Sequence, residues 1–252
     1  MPDHRSPKTD SAERANRGAI RSGADVRAMF DRIVPRYDLM NRIMTGGRDR
    51  AWRTRVAKIA IAGKPHGQLR VIDVATGTGD LALAIARAGA AEVLGIDFSG
   101  KMIAAARKKA ERERGDVQFE VGDAMELPFA DGSFDACTVS FGLRNMPDYD
   151  AAIAEMSRIL KPGGQFICLE MTPFRRPFLG PLFRFSFKRV MPLVGGLLSG
   201  NRQSYRYLPA SVAAFPDALE LAQRMRDVGL DDVQYAMLGF GTVAIHSGVK
   251  PG

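Results

Sequence analysis

Sulfur and imidazole chemistry are scarce in this chain. Its 252 residues include two cysteines and three histidines, which excludes a disulfide framework and leaves no zinc-type ligand spacing. Cys137 and Cys168 lie inside apolar, strand-like runs and read as small buried hydrophobes of a reducing compartment. His4, His66 and His246 are scattered, so no metal is expected. Long apolar runs are missing too: none reaches the roughly 18 residues that a membrane-spanning helix needs. The opening MPDHRSPKTDSAERANRGAIRSG lacks the apolar core of a secretory signal and reads as a mobile tail over 1–24, with the cytoplasm as the expected location. Acidic residues are in deficit, 28 against 36 basic ones, and the formal charge of +8 points to an anionic surface, either nucleic acid or lipid.

What is present is enough apolar sequence, 46% of residues, for one α/β core. Val26, Met29, Phe30 and Ile33, then Leu39, Met40, Ile43 and Met44 beyond a break at Pro35, have helical spacing and predict an N-terminal helical cap over 25–66. The remainder, 67–252, reads as the main domain. Strand-like runs at Val71–Ala75, Glu92–Ile96, Val117–Val121, Phe134–Ser140 and Gln165–Glu170 alternate with helical segments starting at Asp80, Ser99 and Tyr149. Such alternation implies a mostly parallel sheet with right-handed crossovers. DDVQYAML and FGTVAIHSGVK lie too close together for a helical crossover and predict a terminal antiparallel pair.

Between the first strand and its helix stands Gly77-Thr78-Gly79, within RVIDVATGTGDLALAIARAG. Glycine there permits a tight turn and close approach of the backbone to a ligand. The G-x-G-x-x-A spacing matches the dinucleotide fingerprint, so a nicotinamide or flavin enzyme stays open at this point. Asp97, ending the second strand-like run, has the position of a ribose-binding carboxylate in either kind of cofactor site. Each of these residues also has a plainer role: Asp73 bonding a turn, Asp97 capping the next helix, Asp123 forming an Asx turn.

With five parallel strands and a terminal antiparallel pair, the chain resembles class I S-adenosylmethionine-dependent methyltransferases, whose fold is a Rossmann-like seven-stranded sheet. The resemblance implies S-adenosylmethionine as the cofactor. It places Asp73, in DVATGTG, near the cationic, phosphate-free end of that molecule, where a pyrophosphate would be poorly tolerated. It assigns Gly77, Thr78 and Gly79 to the turn, Asp97 to the ribose, Asp123 and Ala124 in GDAMELPF to the adenine, and Ser140 to the ligand-facing end of the fourth strand. LKPGG is then the turn into strand five.

YDLMNRIMTGGRDRAWR, DVATGTGD, GDAMELPFADGSFD, SFGLRN, RILKPGG, SYRYLPASV and GTVAIH, in that order, resemble the ubiquinone/menaquinone-biosynthesis C-methyltransferase family. The resemblance implies methylation of a ring carbon of a polyprenylated 1,4-quinol, with benzoquinol and naphthoquinol both open. Deprotonating the quinol makes the ring carbon nucleophilic, so the protein must supply alignment and a proton acceptor. Arg144 and Asn145 in SFGLRN are then candidates to stabilise the quinolate, Arg144 by its charge. Tyr37, Asp38 and Asn41 from the cap, and Tyr205 and Tyr207 from a later insertion, are candidates to orient the quinol or relay its proton. His246 reads as strand packing or a surface hydrogen bond.

The insertion near 173–210 carries PFRRPFLGPLFRFSFKRVMPLVGGLLSG, which interleaves cations with Phe, Leu and Val and has no acidic residue. It suits the headgroup boundary of an anionic membrane, giving peripheral association with the inner face. A helix packed on the sheet with a basic outer face is the plainer reading. No nucleic-acid partner is expected, because SFGLRN stands where an Asn/Asp-Pro-Pro-Tyr/Phe stretch would mark a nucleic-acid amino-methyltransferase. The sequence leaves a homodimer open. It also leaves a catalytically silent scaffold of this fold and, more remotely, an NAD-dependent oxidoreductase as competing functions.

Overall fold

The computed structural model describes residues 23–34, 37–63, 67–173 and 209–252. Val-, Ile- and Phe-rich runs form the strands β1 Arg70–Val74, β2 Glu92–Asp97, β3 Gln118–Val121, β4 Phe134–Ser140, β5 Leu160–Met171, β6 Asp231–Leu238 and β7 Val243–Val249. They join in one sheet of order β3-β2-β1-β4-β5-β7-β6. β7 runs antiparallel to both neighbours, so β6 points the same way as β1 to β5. The order reverses between β1 and β4, and a crevice opens beyond the carboxyl ends of the strands at such a switch point.

β5 starts earlier than the expected Gln165. Leu160 already pairs with Phe134, and Lys161–Gly164 bulge out before Gln165 pairs with Ala136, with Gly163 at φ 73° and the bulge held by Gly163 N–H donating to Lys250 O and Lys250 N–H to Gly164 O, both at 2.9 Å.

The helices are α1 Gly23–Ile33, α2 Tyr37–Met44, α3 Asp49–Ile61, α4 Asp80–Ala88, α5 Gly100–Glu113, α6 Tyr149–Arg158 and α7 Ala218–Asp227. One sheet face is covered by α3, α4 and α5 through Trp52, Val56, Leu81 and Ile103. The other is covered by α6 and α7 through Ile153, Met156, Leu221 and Met225. Caps fix the starts of several helices. Ser99 accepts from Met102 N–H ahead of α5, and Asp217 and Glu220 form a capping box at α7.

Cys137 and Cys168 are fully buried, and burial pushes both thiols up. His246 is also buried. Its Nε2 lies 2.8 Å from Ala218 O at the start of α7, and its ring stacks on Tyr235, so it packs the edge of the sheet. No helix among the described residues is long and apolar enough to cross a membrane. Most of the tail over 1–24 and of the basic insertion, with Tyr205 and Tyr207, lies outside the described residues.

Candidate active site

The turn after β1 is built on two glycines in the left-handed conformation, Gly77 at φ 57° and Gly79 at φ 83°. A side chain on Gly79 would collide with the β3 residue Phe119, its Cβ standing 2.7 Å from Phe119 Cζ. Three N–H groups of this turn are committed within the protein. Gly77 N–H donates to Asp97 Oδ2 at 2.9 Å, Gly79 N–H to Thr76 O at 3.0 Å and Thr76 N–H to Ile96 O at 2.9 Å. A pyrophosphate on this turn would need those donors, and it would meet a buried carboxylate instead.

Asp97 is 5% exposed. Its other oxygen accepts from Ser99 N–H at 2.9 Å, so it both anchors the turn and leads into α5. Burial pushes its carboxyl up, while the N–H groups of Ser99 and Gly77 pull the other way. Two bonds from backbone thus orient a carboxylate whose remaining lone pairs face a cavity of about 530 Å³.

The cavity sits past the ends of β1 to β4. Phe30 and Tyr37 from the cap, Phe98, Met102, Met125 and Phe141 give it an apolar wall. Phe30 packs edge-on against both Tyr37 and Phe98. Asp97, Asp123 and Arg27 are its charged lining groups, so carboxylates outnumber cations. This lining suits a cationic or neutral ligand with a diol better than a dianionic one.

Of the sequence candidates, Tyr37, Gly77, Asp97, Asp123, Ala124 and Asn145 line this cavity together. Asp123 also makes the Asx turn, accepting from Met125 N–H at 2.9 Å. Asn145 Nδ2 donates to Phe141 O at 3.2 Å.

Other candidates lie behind the wall. Asp73 is 1% exposed, and its oxygens accept from Thr76 Oγ1 at 2.6 Å and Thr138 Oγ1 at 2.8 Å. Burial pushes its carboxyl up to about 6, against the pull of those hydroxyls. Gly79 faces Phe119, and Ser140, at the end of β4, is not among the lining residues. Asp38 turns away from the cavity, because Lys109 Nζ and Thr78 Oγ1 each lie 2.5 Å from its carboxylate. Thr78 is drawn into the same cluster, accepting from Lys109 at 3.0 Å. Lys109 also pairs with Asp80 at 2.7 Å. Burial works against the Asp80 carboxylate, but Lys109 and Arg53 together outweigh it and hold it below the usual range. The cluster ties α2 to α4 and α5 and so holds the cap over the cavity.

The structure corrects the expected placement of Arg144. Its Nη1 donates to Glu170 Oε1 at 2.8 Å and to Phe141 O at 2.6 Å, and Glu170 Oε2 accepts from Arg144 N–H at 3.2 Å. Glu170 is 1% exposed on β5, so a counter-charge is required, and Arg144 supplies it beneath the turn that carries Asn145. Sequence reasoning passed over Glu170. The signal was a lone acid within the apolar run FICLEM, where a carboxylate needs a partner. Arg144 still acts on the cavity at a distance. Burial pushes the Tyr37 phenol up, and Asn41, Arg144 and Arg53 pull it partly back.

Comparison with known proteins bears on this geometry. A profile described as the ubiE/COQ5 methyltransferase family matches residues 18–250. A demethylmenaquinone methyltransferase of Thermus thermophilus is 48% identical over 224 residues, covering 88% of this chain and 100% of its own length. A ubiquinone/menaquinone biosynthesis C-methyltransferase UbiE of Geotalea daltonii is 40% identical over 232 residues, covering 90% of this chain and 97% of its own. A solved SAM-dependent methyltransferase from Thermotoga maritima shares the fold, with TM-score 0.62 at 20% identity over 88% of this chain and 98% of its own.

Proposed function

The chain belongs to the ubiE/COQ5 methyltransferase family, and from that premise we propose that it transfers a methyl group from S-adenosylmethionine to a ring carbon of a prenylated 1,4-quinol. The observation that carries this reading is the Gly77–Asp97 bond in the wall of a cavity that also exposes Tyr37 and Asn145. It leaves a fixed carboxylate for a ribose diol and puts that carboxylate, with the committed N–H groups of Gly77 and Gly79, where a pyrophosphate would have to sit.

When bound, S-adenosylmethionine supplies an electrophilic methyl group on a cationic sulfur. Asp97 would hold the ribose hydroxyls, and Asp123 with the backbone at Ala124 would meet the adenine beside Phe98, Met102 and Met125. The aromatic wall of Phe30, Phe98 and Phe141 excludes water from the reacting atoms. Tyr37 stays protonated at neutral pH and donates to the quinol oxygen rather than taking its proton. Asn145, fixed through Phe141 O, orients the ring. The Arg144 charge that pulls against the rise of the Tyr37 phenol would likewise favour the quinolate of a quinol lying beside it; the hydroxyl proton would leave to solvent, and after transfer the ring C–H proton would shift to the quinol oxygen to restore the aromatic ring.

The name of the Thermus relative makes a demethylated naphthoquinol the first acceptor to assay. Label should pass from S-adenosylmethionine to that ring in a reduced, detergent-dispersed mixture. A folded protein that binds S-adenosylmethionine and methylates neither naphthoquinols nor benzoquinols would refute the reading.

A further inference from the structure

Helix α2 carries four aliphatic or thioether residues, Leu39, Met40, Ile43 and Met44, and none of its residues is buried. Leu39 and Ile43, one turn apart, are 52% and 45% exposed. Close by in the fold, Phe240 in the β6–β7 turn is 82% exposed. It is held in the left-handed region at φ 59°, a costly conformation for an aromatic residue. The turn is seated against α3: a Cβ on Gly239 would stand 3.3 Å from Trp52, and the Arg48 guanidinium lies 5.2 Å from the centre of the Phe240 ring. Because Met171, Val243 and Leu238 are level in the sheet, Phe240 lies at the same sheet edge as the cavity. Tyr37, which begins α2, lines that cavity.

The charges around these apolar residues have one sign. Across 37–61 the exposed charged residues are Arg42, Arg48, Arg50, Arg55 and Lys58. Both acidic residues there are ion-paired, Asp38 with Lys109 and Asp49 with Arg53. Protruding apolar groups set among exposed cations match the two layers of an anionic bilayer, hydrocarbon beneath phosphate.

We infer that this rim, formed by α2, the turn at 45–48, the outer face of α3 and Phe240, docks on an anionic lipid bilayer. Leu39, Ile43 and Phe240 enter the interface, and the arginines meet phosphates. Docked so, the cavity faces the surface in which a prenyl tail is dissolved, so the ring can enter while the tail stays in lipid. This choice of partner rests on the prenylated-quinol reading. None of these residues belongs to the basic insertion at 173–210.

The test floats the full chain with vesicles of phosphatidylglycerol and phosphatidylethanolamine, with phosphatidylcholine vesicles as the neutral control. The wild type should partition onto the anionic vesicles, and added salt should weaken it. Leu39→Ser/Ile43→Ser/Phe240→Ser should lower the partition coefficient tenfold or more, about the effect of withdrawing three apolar side chains. Arg48→Gln/Arg50→Gln/Arg55→Gln should lower it about fivefold per cation. Both variants should keep the wild-type thermal midpoint and turnover on a short-tailed, water-soluble quinol, and lose turnover on a long-tailed quinol in vesicles. Wild-type partitioning by both variants would overturn the docking surface, as would binding to single-stranded RNA with no recruitment by vesicles. Absence of turnover on every quinol, with flotation behaving as described, would instead refute the quinol reading and leave the docking surface supported.

Discussion

Removing Arg144 tests the reassignment of this residue most directly. The ion pair with Glu170 measures 2.8 Å, with side-chain exposures of 9% and 1%. Arg144→Ala leaves the carboxylate with backbone N–H donors from Arg144 and Met171 but no counter-charge. Breaking a buried pair in this way costs about 3–5 kcal/mol. At roughly 2–4 °C per kcal/mol for a chain of this size, the thermal midpoint should fall by about 6–20 °C. The double variant Arg144→Met/Glu170→Leu removes both charges and fills the space, and such exchanges are often close to neutral. It should recover most of the lost stability, and the cycle of wild type, Arg144→Met, Glu170→Leu and the double should give a coupling energy of about 3 kcal/mol or more. Calorimetric or denaturant unfolding of these four proteins and of Arg144→Ala measures this. A loss below about 1 kcal/mol for Arg144→Ala, or additive losses in the double variant, would refute the buried-pair account. Arg144→Met, assayed well below its thermal midpoint, tests the electrostatic role. With the Arg144 charge gone and Glu170 kept, the rising limb of kcat against pH should move to higher pH. An unmoved limb would remove Arg144 from the reaction.

Asp73→Asn tests the carboxyl beneath the turn. Its folded value of about 6 stands above the usual 3.8, so its contribution to stability is fully present below about pH 4 and is lost as pH rises through 6. The wild type should lose about 3 kcal/mol relative to the variant over that interval, and parallel stability curves would contradict the shift. Asp97→Ala should weaken S-adenosylmethionine binding by about 1.5–3 kcal/mol through lost charge-assisted bonds; an unchanged dissociation constant by calorimetry would take Asp97 out of the site. Gly79→Ala combines a left-handed φ of 83° with a Cβ 2.7 Å from Phe119, and should cost about 2–4 kcal/mol in an unfolding experiment. A midpoint within a degree of wild type would show that the turn has room.

The element order, the parallel sheet with its reversed β7 and the turn at Gly77-Thr78-Gly79 were determined locally. Hydrophobic period, capping residues such as Ser99, and glycines at left-handed positions act over a few residues and are legible without a fold. Asp97, Asp123 and Ala124 were readable for the same reason, since each follows the end of a strand and the carboxyl ends of parallel strands form the crevice. Which side chains face that crevice was decided by tertiary structure alone. Asp38 and Thr78 are drawn from it by Lys109, which lies 71 residues from Asp38, and Arg144 is held by Glu170, 26 residues away. Burial makes such pairing obligatory, because an unpaired charge in the interior costs more than a local preference can supply. Sequence spacing names the groups able to do chemistry. The partners that claim them depend on distances that only the folded chain sets.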